Sequence, residues 1–446
     1  MTTRRDFISK TALGGAAITL GGPAMAMPAN SYRRIIGAND RLNVAFAGLG
    51  RRVGAYYEPV QMKEANVHLL YLCDVMKSQR DKALIDFTKN ADYQPKLEND
   101  IRNVIADKDV DILFNATPDH WHTPGSIMAL KAGKHVYVEK PCSHNMHENE
   151  VLVQAAKKYD KVVQMGNQQR SSDHTIKIID KIHDGIIGTP YKALAFYTNA
   201  RGETSVQKAA PVPEGLDWEL WQGPALRRAY TDNTWDYNWH WYGWNYGTAE
   251  AGNNGTHELD VARWALDVNY PLYAEVEAKK RHFSDDGWEM YDTMLATFQF
   301  TDDKIIQWDG KSRNGYDTYG GGRGTIIYGS EGTVFVDREK YRLTDRNGIV
   351  IEEFDSQSNE AGTALGGGGD VTTAHVLNFF NTIRGKEKLT APIDDASISM
   401  AMVHYANIAY RINKGFSIDE NTGRIYDREA MQLWNRQYAP GWELNL

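Results

Sequence analysis

From Leu42 onward the chain alternates short apolar runs with longer amphipathic ones, and the apolar runs end in glycine or polar residues. Leu42–Ala47 runs into Gly48-Leu49-Gly50, and Val67–Cys73 into Asp74. Asp111–Asn115 runs into Ala116-Thr117-Pro118-Asp119, and His135–Val138 into Glu139-Lys140-Pro141. Val162–Met165 is a fifth such run. Between them Val53–Ala65, Ser78–Asn90, His122–Ala132 and Met146–Tyr159 read as helices. Short strands separated by helices predict an α/β unit, a parallel sheet wound with helices on both faces. Such sheets bind ligands at the C-terminal ends of their strands, where the glycines and polar residues collect here.

The pattern changes after Pro190. Lys192–Tyr197, Tyr273–Arg281, Met294–Phe300, Lys304–Trp308, Gly324–Tyr328 and Thr333–Val336 read as strands joined by turns, an antiparallel meander. Thr256–Leu266, Thr372–Arg384 and Ala396–Lys414 read as helices against it. The expected organisation is a dinucleotide-binding Rossmann domain over 41–168 and an α+β domain with an open, mainly antiparallel sheet over 169–446. The stretch 201–255 is too long for a plain connection and reads as an insertion. No internal repeat is evident.

Composition narrows the partners. The net charge of −8 leaves no basic excess for a nucleic-acid backbone. The two cysteines, Cys73 and Cys142, fall on segments expected in separate strands, and no Cys-rich metal spacing exists. Residues 1–26 form an address: Arg4-Arg5-Asp6-Phe7, a short apolar stretch from Ala12 to Gly22, then Ala24-Met25-Ala26. The paired arginines resemble a twin-arginine export signal, which predicts a periplasmic protein after a linker over 27–40. The apolar stretch is too short to span a bilayer.

Gly48-Leu49-Gly50-Arg51-Arg52-Val53-Gly54 follows a strand and opens a helical run, the place where a pyrophosphate needs close backbone approach. The third glycine comes one position late for G-x-G-x-x-G, and Gly54 is expected to let the helix approach the sheet. Asp74 closes the second strand, where a carboxylate reads the ribose hydroxyls of NAD and repels the 2′-phosphate of NADP. Arg80 lies one or two turns further on.

Thr117-Pro118-Asp119-His120-Trp121-His122, then Ala132-Gly133-Lys134-His135-Val136, then Glu139-Lys140-Pro141 form a specific series. It resembles the glucose–fructose oxidoreductase/inositol dehydrogenase (Gfo/Idh/MocA) family over about 42–440. In that family's Thr-Pro-Asn-x-x-His element, Asp119 here replaces Asn and His122 is the His. The family's second-domain element matches at His257 and Asp260, with Asn253 where many members carry Asp. The resemblance implies a catalytic Lys140 and His257. It implies cofactor contacts from Gly48, Gly50, Arg51, Gly54, Asp74, Thr117, Pro118, His122, Glu139, Lys140 and Gln168, and redox chemistry without a metal. It also implies a homodimer or homotetramer built on the open sheet.

The residues support that chemistry on their own terms. Oxidising a secondary alcohol needs a base for the hydroxyl proton while hydride leaves for the nicotinamide. A strand-end lysine beside a cofactor is placed for that, with its pKa lowered by burial or a cationic neighbour. His257, at the start of a helix, is expected to stay neutral through the helix dipole. Gln168 and Arg170 follow a strand at the ligand edge and are candidates for nicotinamide or sugar contacts.

Six of the twelve tryptophans fall in 201–255, among them Trp239 and Trp241 flanking His240, with Tyr242 next. Such faces stack on pyranose rings; the bland alternative is a satellite cluster beneath a long loop. Asn253, His240, Trp239, Tyr242 and Arg170 are the expected substrate contacts. Arg323, beside Gly320–Gly322, either binds substrate or pairs with an acid. The expected function is NAD-dependent hydride transfer at a ring carbon of a carbohydrate. The rivals are a redox-assisted glycosidase, whose family branch lacks the Glu-Lys-Pro triplet, and a non-catalytic sugar-binding protein.

Overall fold

The computed structural model describes residues 40–356 and 369–446. The expected export signal, the linker up to residue 39 and Gly366–Gly368 lie outside the described residues.

Six parallel strands form the N-terminal sheet: β1 (Leu42–Ala47), β2 (Val67–Cys73), β3 (Lys96–Glu98), β4 (Ile112–Asn115), β5 (His135–Val138) and β6 (Val163–Met165). Their order is β3-β2-β1-β4-β5-β6, the doubly wound Rossmann arrangement. Side chains alternate between faces, so each strand feeds two cores. Ala45, Leu113, Val136 and Val138 enter one, and Val44, Phe46, Ile112, Phe114 and Tyr137 the other. Strands buried on both faces read as continuous apolar runs, which is why β1, β2, β4 and β5 stand out in the sequence. The short β3 and its following helix, Ile101–Ala106, carry no comparable run and escape that reading.

The helix expected over Val53–Ala65 is broken instead. A 3-10 turn over Val53–Tyr56 passes into a short α-helix, Tyr57–Gln61, and Pro59 lies within it. The helix expected from His122 begins earlier, as α1 (Asp119–Lys131), capped by the extended Pro118.

The second sheet has ten strands, including β7 (Pro190–Ala200), β8 (Tyr273–Lys279), β9 (Thr293–Gln299), β10 (Ile305–Lys311), β12 (Arg323–Gly329), β13 (Gly332–Val336), β14 (Lys340–Asp345) and β15 (Val350–Asp355), with the two-residue β11 (Arg313–Asn314) at its side. It is not a simple meander, since β7 and β10 pair in parallel at the centre. One face is covered by α2 (Thr256–Leu266) and α3 (Ile393–Ile412), which bury Leu259, Ala262, Met400 and Val403 against Phe298 and Trp308.

A further helix, α4 (Gly369–Ile383), is expected from the sequence to accompany this second sheet. Its Val376, Phe379 and Phe380 instead pack on Phe46, Phe114 and Tyr137 of the first sheet. A helix that follows the second sheet in the chain thus packs on the first. Among the described residues no helix is long and apolar enough to cross a membrane.

Candidate active site

Strand register sets up the site. Ala47 pairs with Cys73 and with Asn115, Asn115 with Val138, and Val138 with Met165. The strands therefore end level, and the residues just beyond them share one rim: Gly48, Asp74, Ala116-Thr117-Pro118, Glu139-Lys140 and Gln168. All of these line one cleft, with Gly50, Arg51, His122, Trp239, His240, Asn253 and His257. Its atom-free space is about 1610 Å³, including the part open to solvent.

The residues present fit a dinucleotide. Gly48 has φ +85°, and a Cβ there would lie 2.3 Å from the Ala116 carbonyl oxygen. Only glycine permits this crossing between the β1 and β4 ends. Gly50 lines the cleft, and a Cβ on it would meet no protein atom within 4 Å. Asp74 accepts the Leu49 N–H at 2.7 Å and the Met76 N–H at 2.8 Å, which fixes its carboxylate beside the glycine turn. Burial raises the Asp74 pKa, against these two amides and Arg80. Gly54 does not line the cleft, and a Cβ there would also meet nothing within 4 Å; the expected helix–sheet approach does not require it.

Glu139 forms the next stretch of wall. Arg52 Nε donates to it at 2.9 Å, Gln168 Nε2 at 3.1 Å, and the Tyr56 hydroxyl also donates. Burial pushes the carboxyl pKa up, but Arg52 and the Tyr56 hydrogen bond outweigh it, so Glu139 stays below its usual value. Thr372, from the start of α4, accepts a second Arg52 hydrogen bond at 3.2 Å. His122 contacts the Pro141 carbonyl oxygen through Nδ1 at 2.6 Å, so the proton sits on Nδ1 and Nε2 is the acceptor. That Nε2 has no partner among the described residues, and burial lowers the His122 pKa to about 4.

Lys140 follows Glu139 and meets the second domain. Its Nζ donates to the Asn253 carbonyl oxygen at 2.6 Å. That carbonyl belongs to a π-helical turn, Ala251–Gly255, inserted just before α2. Such turns release backbone groups from the helical ladder and recur at functional sites. Burial lowers the Lys140 pKa, against the pull of Glu139 and Asp119. Asp119 itself is 2% exposed and accepts the Thr248 hydroxyl at 2.6 Å. Burial pushes its carboxyl up to about 7, with Thr248 and Lys140 opposing.

His257 lies one residue into α2, yet not at a free helix start, because helical backbone already begins at Glu250 and runs through the π-helical turn. The expected dipole effect gives way to two stronger causes. Burial comes first, and the cationic Arg338, Lys140, Arg323 and Arg52 add to it, holding the imidazole pKa well below its usual value. The site thus combines an amine that gives up its proton more readily than usual with a neutral imidazole.

The aromatic insertion supplies one wall. Trp221, Trp235, Tyr237, Trp239 and His240 line the cleft. His240 stacks on Trp239 with ring centroids 3.6 Å apart, and its Nδ1 meets the Tyr237 carbonyl oxygen at 2.6 Å. The Arg51 guanidinium sits 4.0 Å over the Tyr237 ring, linking the glycine turn to this wall. Trp241 is buried flat against Trp288, so part of the insertion is core.

Two expected substrate contacts stand elsewhere. Tyr242 is 2% exposed, and its hydroxyl donates to the Ser205 carbonyl oxygen outside the cleft. Arg170 is committed to Asp260 through two hydrogen bonds of 2.8 and 2.9 Å, with Asp395 at 3.2 Å. The bidentate, buried pair turns its guanidinium toward Asp260, and Arg170 does not line the cleft. Arg323 pairs with Glu258 at 2.7 Å. Both cysteines are free and buried, and no metal-type cluster of His, Cys, Asp or Glu occurs among the described residues. Arg338 and Thr372 line the cleft without having been expected. Each is a single side chain brought in by tertiary folding, with no local motif to mark it.

Level strand ends, a glycine turn closed on Asp74 and a lysine–histidine pair across the cleft define a dinucleotide-binding oxidoreductase. The chain belongs to the Gfo/Idh/MocA oxidoreductase family: residues 42–167 match its NAD-binding Rossmann fold and 173–340 its C-terminal alpha/beta domain. Among solved structures it resembles a levoglucosan dehydrogenase bound to NADH and levoglucosan, at TM-score 0.62 and 18% identity, over 84% of this chain and 99% of that one. It also resembles the aldose–aldose oxidoreductase of Caulobacter crescentus, at TM-score 0.61 and 17% identity, over 85% and 100%. At these identities the likeness concerns the fold. A curated relative from Saccharopolyspora erythraea, named a glycosyl hydrolase family 109 protein, is 28% identical over 201 residues. That match spans 42% of this chain and 43% of the relative, so less than half of the relative's length is covered.

Proposed function

We propose that this protein oxidises or reduces a ring carbon of a sugar or glycoside, with Lys140 and His257 handling the hydroxyl proton. The observation that carries this reading is the Lys140 amine, held at 2.6 Å by the Asn253 carbonyl on the rim where the dinucleotide turn ends. A bound nicotinamide would supply the hydride acceptor or donor. Gly48, Gly50, Arg51, Thr117, Pro118 and His122 would hold it, and Asp74, by its charge, favours NAD over NADP. When neutral, Lys140 accepts the proton of the reacting hydroxyl. The Asn253 carbonyl fixes the direction of the amine, and neutral His257 hydrogen-bonds the same or the neighbouring hydroxyl. Trp239, His240 and Tyr237 offer the flat wall on which a pyranose ring stacks. The Arg52–Glu139 pair keeps the wall rigid behind the cofactor.

The Arg4-Arg5 signal supports export to the periplasm by the twin-arginine route, which carries folded, cofactor-loaded proteins. Little free nicotinamide is present there, so the cofactor stays bound and is recycled in place. The outward face of the second sheet, with Leu295 39% exposed on it, supports a homodimer or homotetramer, and a monomer by light scattering at micromolar concentration refutes that. A second reading has the curated relatives' names in its favour: cleavage of a glycosidic bond by oxidation, elimination and reduction.

The test is spectroscopic. Protein purified without added cofactor is mixed with mono- and disaccharides, and reduced-nicotinamide absorbance and released monosaccharide are scored together. Stoichiometric reduction without cleavage establishes the oxidoreductase. Sugar release without lasting reduction favours the glycosidase. Failure to bind NAD even when it is added overturns both.

A further inference from the structure

Three arginines converge on the end of the cleft that holds Lys140 and His257. Two are neutralised where they stand, Arg52 by Glu139 at 2.9 Å and Arg323 by Glu258 at 2.7 Å. The third, Arg338, sits in the tight turn between β13 and β14 and lines the cleft. It makes no ion pair or hydrogen bond with any described residue. Arg338 is half-buried in the cleft wall, and a cation partly withdrawn from water with no protein partner is poised to take an anion from outside.

The position of Arg338 says which anion. Among the charged groups acting on the His257 imidazole it is the strongest, so it serves the reacting end of the cleft. The ribose end of a bound dinucleotide would lie at Asp74, whose carboxylate accepts the Leu49 N–H at the glycine turn. Burial, then Arg323 and Arg52, lower the Arg338 pKa to about 9, with Glu258 opposing. At neutral pH the side chain therefore remains a full cation among like charges, a strain that a bound anion relieves. A guanidinium presents two parallel N–H groups, the match of a carboxylate's two oxygens, and one charge balances one charge. A phosphate dianion would leave one charge uncovered here, since Arg52 and Arg323 are already paired.

We infer that the substrate is an acidic sugar, a uronate or uronate-containing glycoside, whose carboxylate docks on Arg338 while a ring hydroxyl faces Lys140 and His257. This rests on the sugar-oxidoreductase reading and names the substrate class of that same site.

The experiment compares matched ligands in the NAD-loaded enzyme. Glucuronate, galacturonate and mannuronate, their parent hexoses, and glucose 6-sulfate are titrated against tryptophan fluorescence, and nicotinamide absorbance is read in the same cuvettes. Wild type binds at least one uronate about tenfold or more tightly than its parent hexose, the scale of a charge-assisted pair. R338M removes that preference with NAD affinity retained, and R338K, a point charge without the fork, restores part of it. Equal binding of acid and hexose by wild type, a preference that survives R338M, or tightest binding of the sulfate each overturns the inference. Hydride transfer to hexoses without acid preference overturns it and leaves the oxidoreductase reading standing. Acid preference without any nicotinamide reduction does the reverse.

Discussion

Replacing Arg52 by methionine strands a buried carboxylate, and the structure fixes the size and pH dependence of the result. The Glu139 side chain is 8% exposed, and Arg52 supplies its one ion pair among the described residues, at 2.9 Å. Removing one partner of a buried pair costs about 3–5 kcal/mol. With a urea slope on the order of 3 kcal/mol/M or more, the unfolding midpoint of cofactor-free R52M falls by about 1 M at pH 8. The sign with pH follows from Glu139. In the wild type its folded pKa lies below the ordinary 4.5, because Arg52 and Tyr56 outweigh burial. That stability is present above pH 4.5 and is lost as pH falls through the folded value. In R52M burial dominates and the folded pKa rises above 4.5, so the native state takes up a proton as pH falls. The deficit of R52M against wild type therefore shrinks between pH 8 and pH 5. Adding E139Q removes the stranded charge and restores most of the loss at pH 8. Urea unfolding followed by tryptophan fluorescence measures all three proteins. A loss under about 1 kcal/mol for R52M, or a double variant no more stable than R52M, refutes the pairing argument.

Other variants separate catalysis from scaffold. K140M lowers kcat about 10²- to 10⁴-fold with NADH binding retained by fluorescence. Since burial lowers the Lys140 pKa, the acid limb of the wild-type kcat/KM profile falls below pH 10.5; a limb at or above that value excludes Lys140 as the base. D119N removes an anion that raises the Lys140 pKa, so that limb shifts to lower pH, and an unchanged limb contradicts the coupling. G48A forces a Cβ to 2.3 Å from the Ala116 oxygen at φ +85°, and NADH titration is expected to show at least tenfold weaker binding, with about 1–3 kcal/mol lost in urea from backbone strain alone. R170M costs about 3–5 kcal/mol by breaking its pair with Asp260 and leaves the sugar KM unchanged; a KM raised tenfold in a fully stable variant returns Arg170 to the site.

What could be read from the sequence follows from how local each signal is. β1 and β5, and the helices Met146–Tyr159 and Thr256–Leu266, coincide with their expected bounds because a buried strand or an amphipathic helix writes its own period into the chain. The turn glycines, Asp74, Glu139 and Lys140 were legible for the same reason: each sits at a strand end, and level register brings strand ends together. Arg338 was not, because one arginine in a turn carries no period and no spacing. Arg170 misled because its position after β6 marks the ligand edge, while its direction toward Asp260 and Asp395 depends on α2 and α3. The helix dipole assigned to His257 failed through five residues, the π-helical turn, which carries helical backbone past the expected start. Helix α4 was expected in the right place in the chain and on the wrong sheet, since its apolar stripe says that it packs, not against what.

The return of α4 to the first sheet has a consequence for synthesis. The apolar cluster beneath the nucleotide cleft stays open on one side until Phe379 and Phe380 have left the ribosome, and Arg52 lacks its Thr372 contact until then. A chain emerging from its N-terminus displays the glycine turn and its strands first, yet closes them nearly last. The cofactor cleft is thus a late product of translation, and a nascent chain cut short anywhere before α4 presents exposed Phe46, Phe114 and Tyr137 to solvent, the kind of surface that quality control recognises.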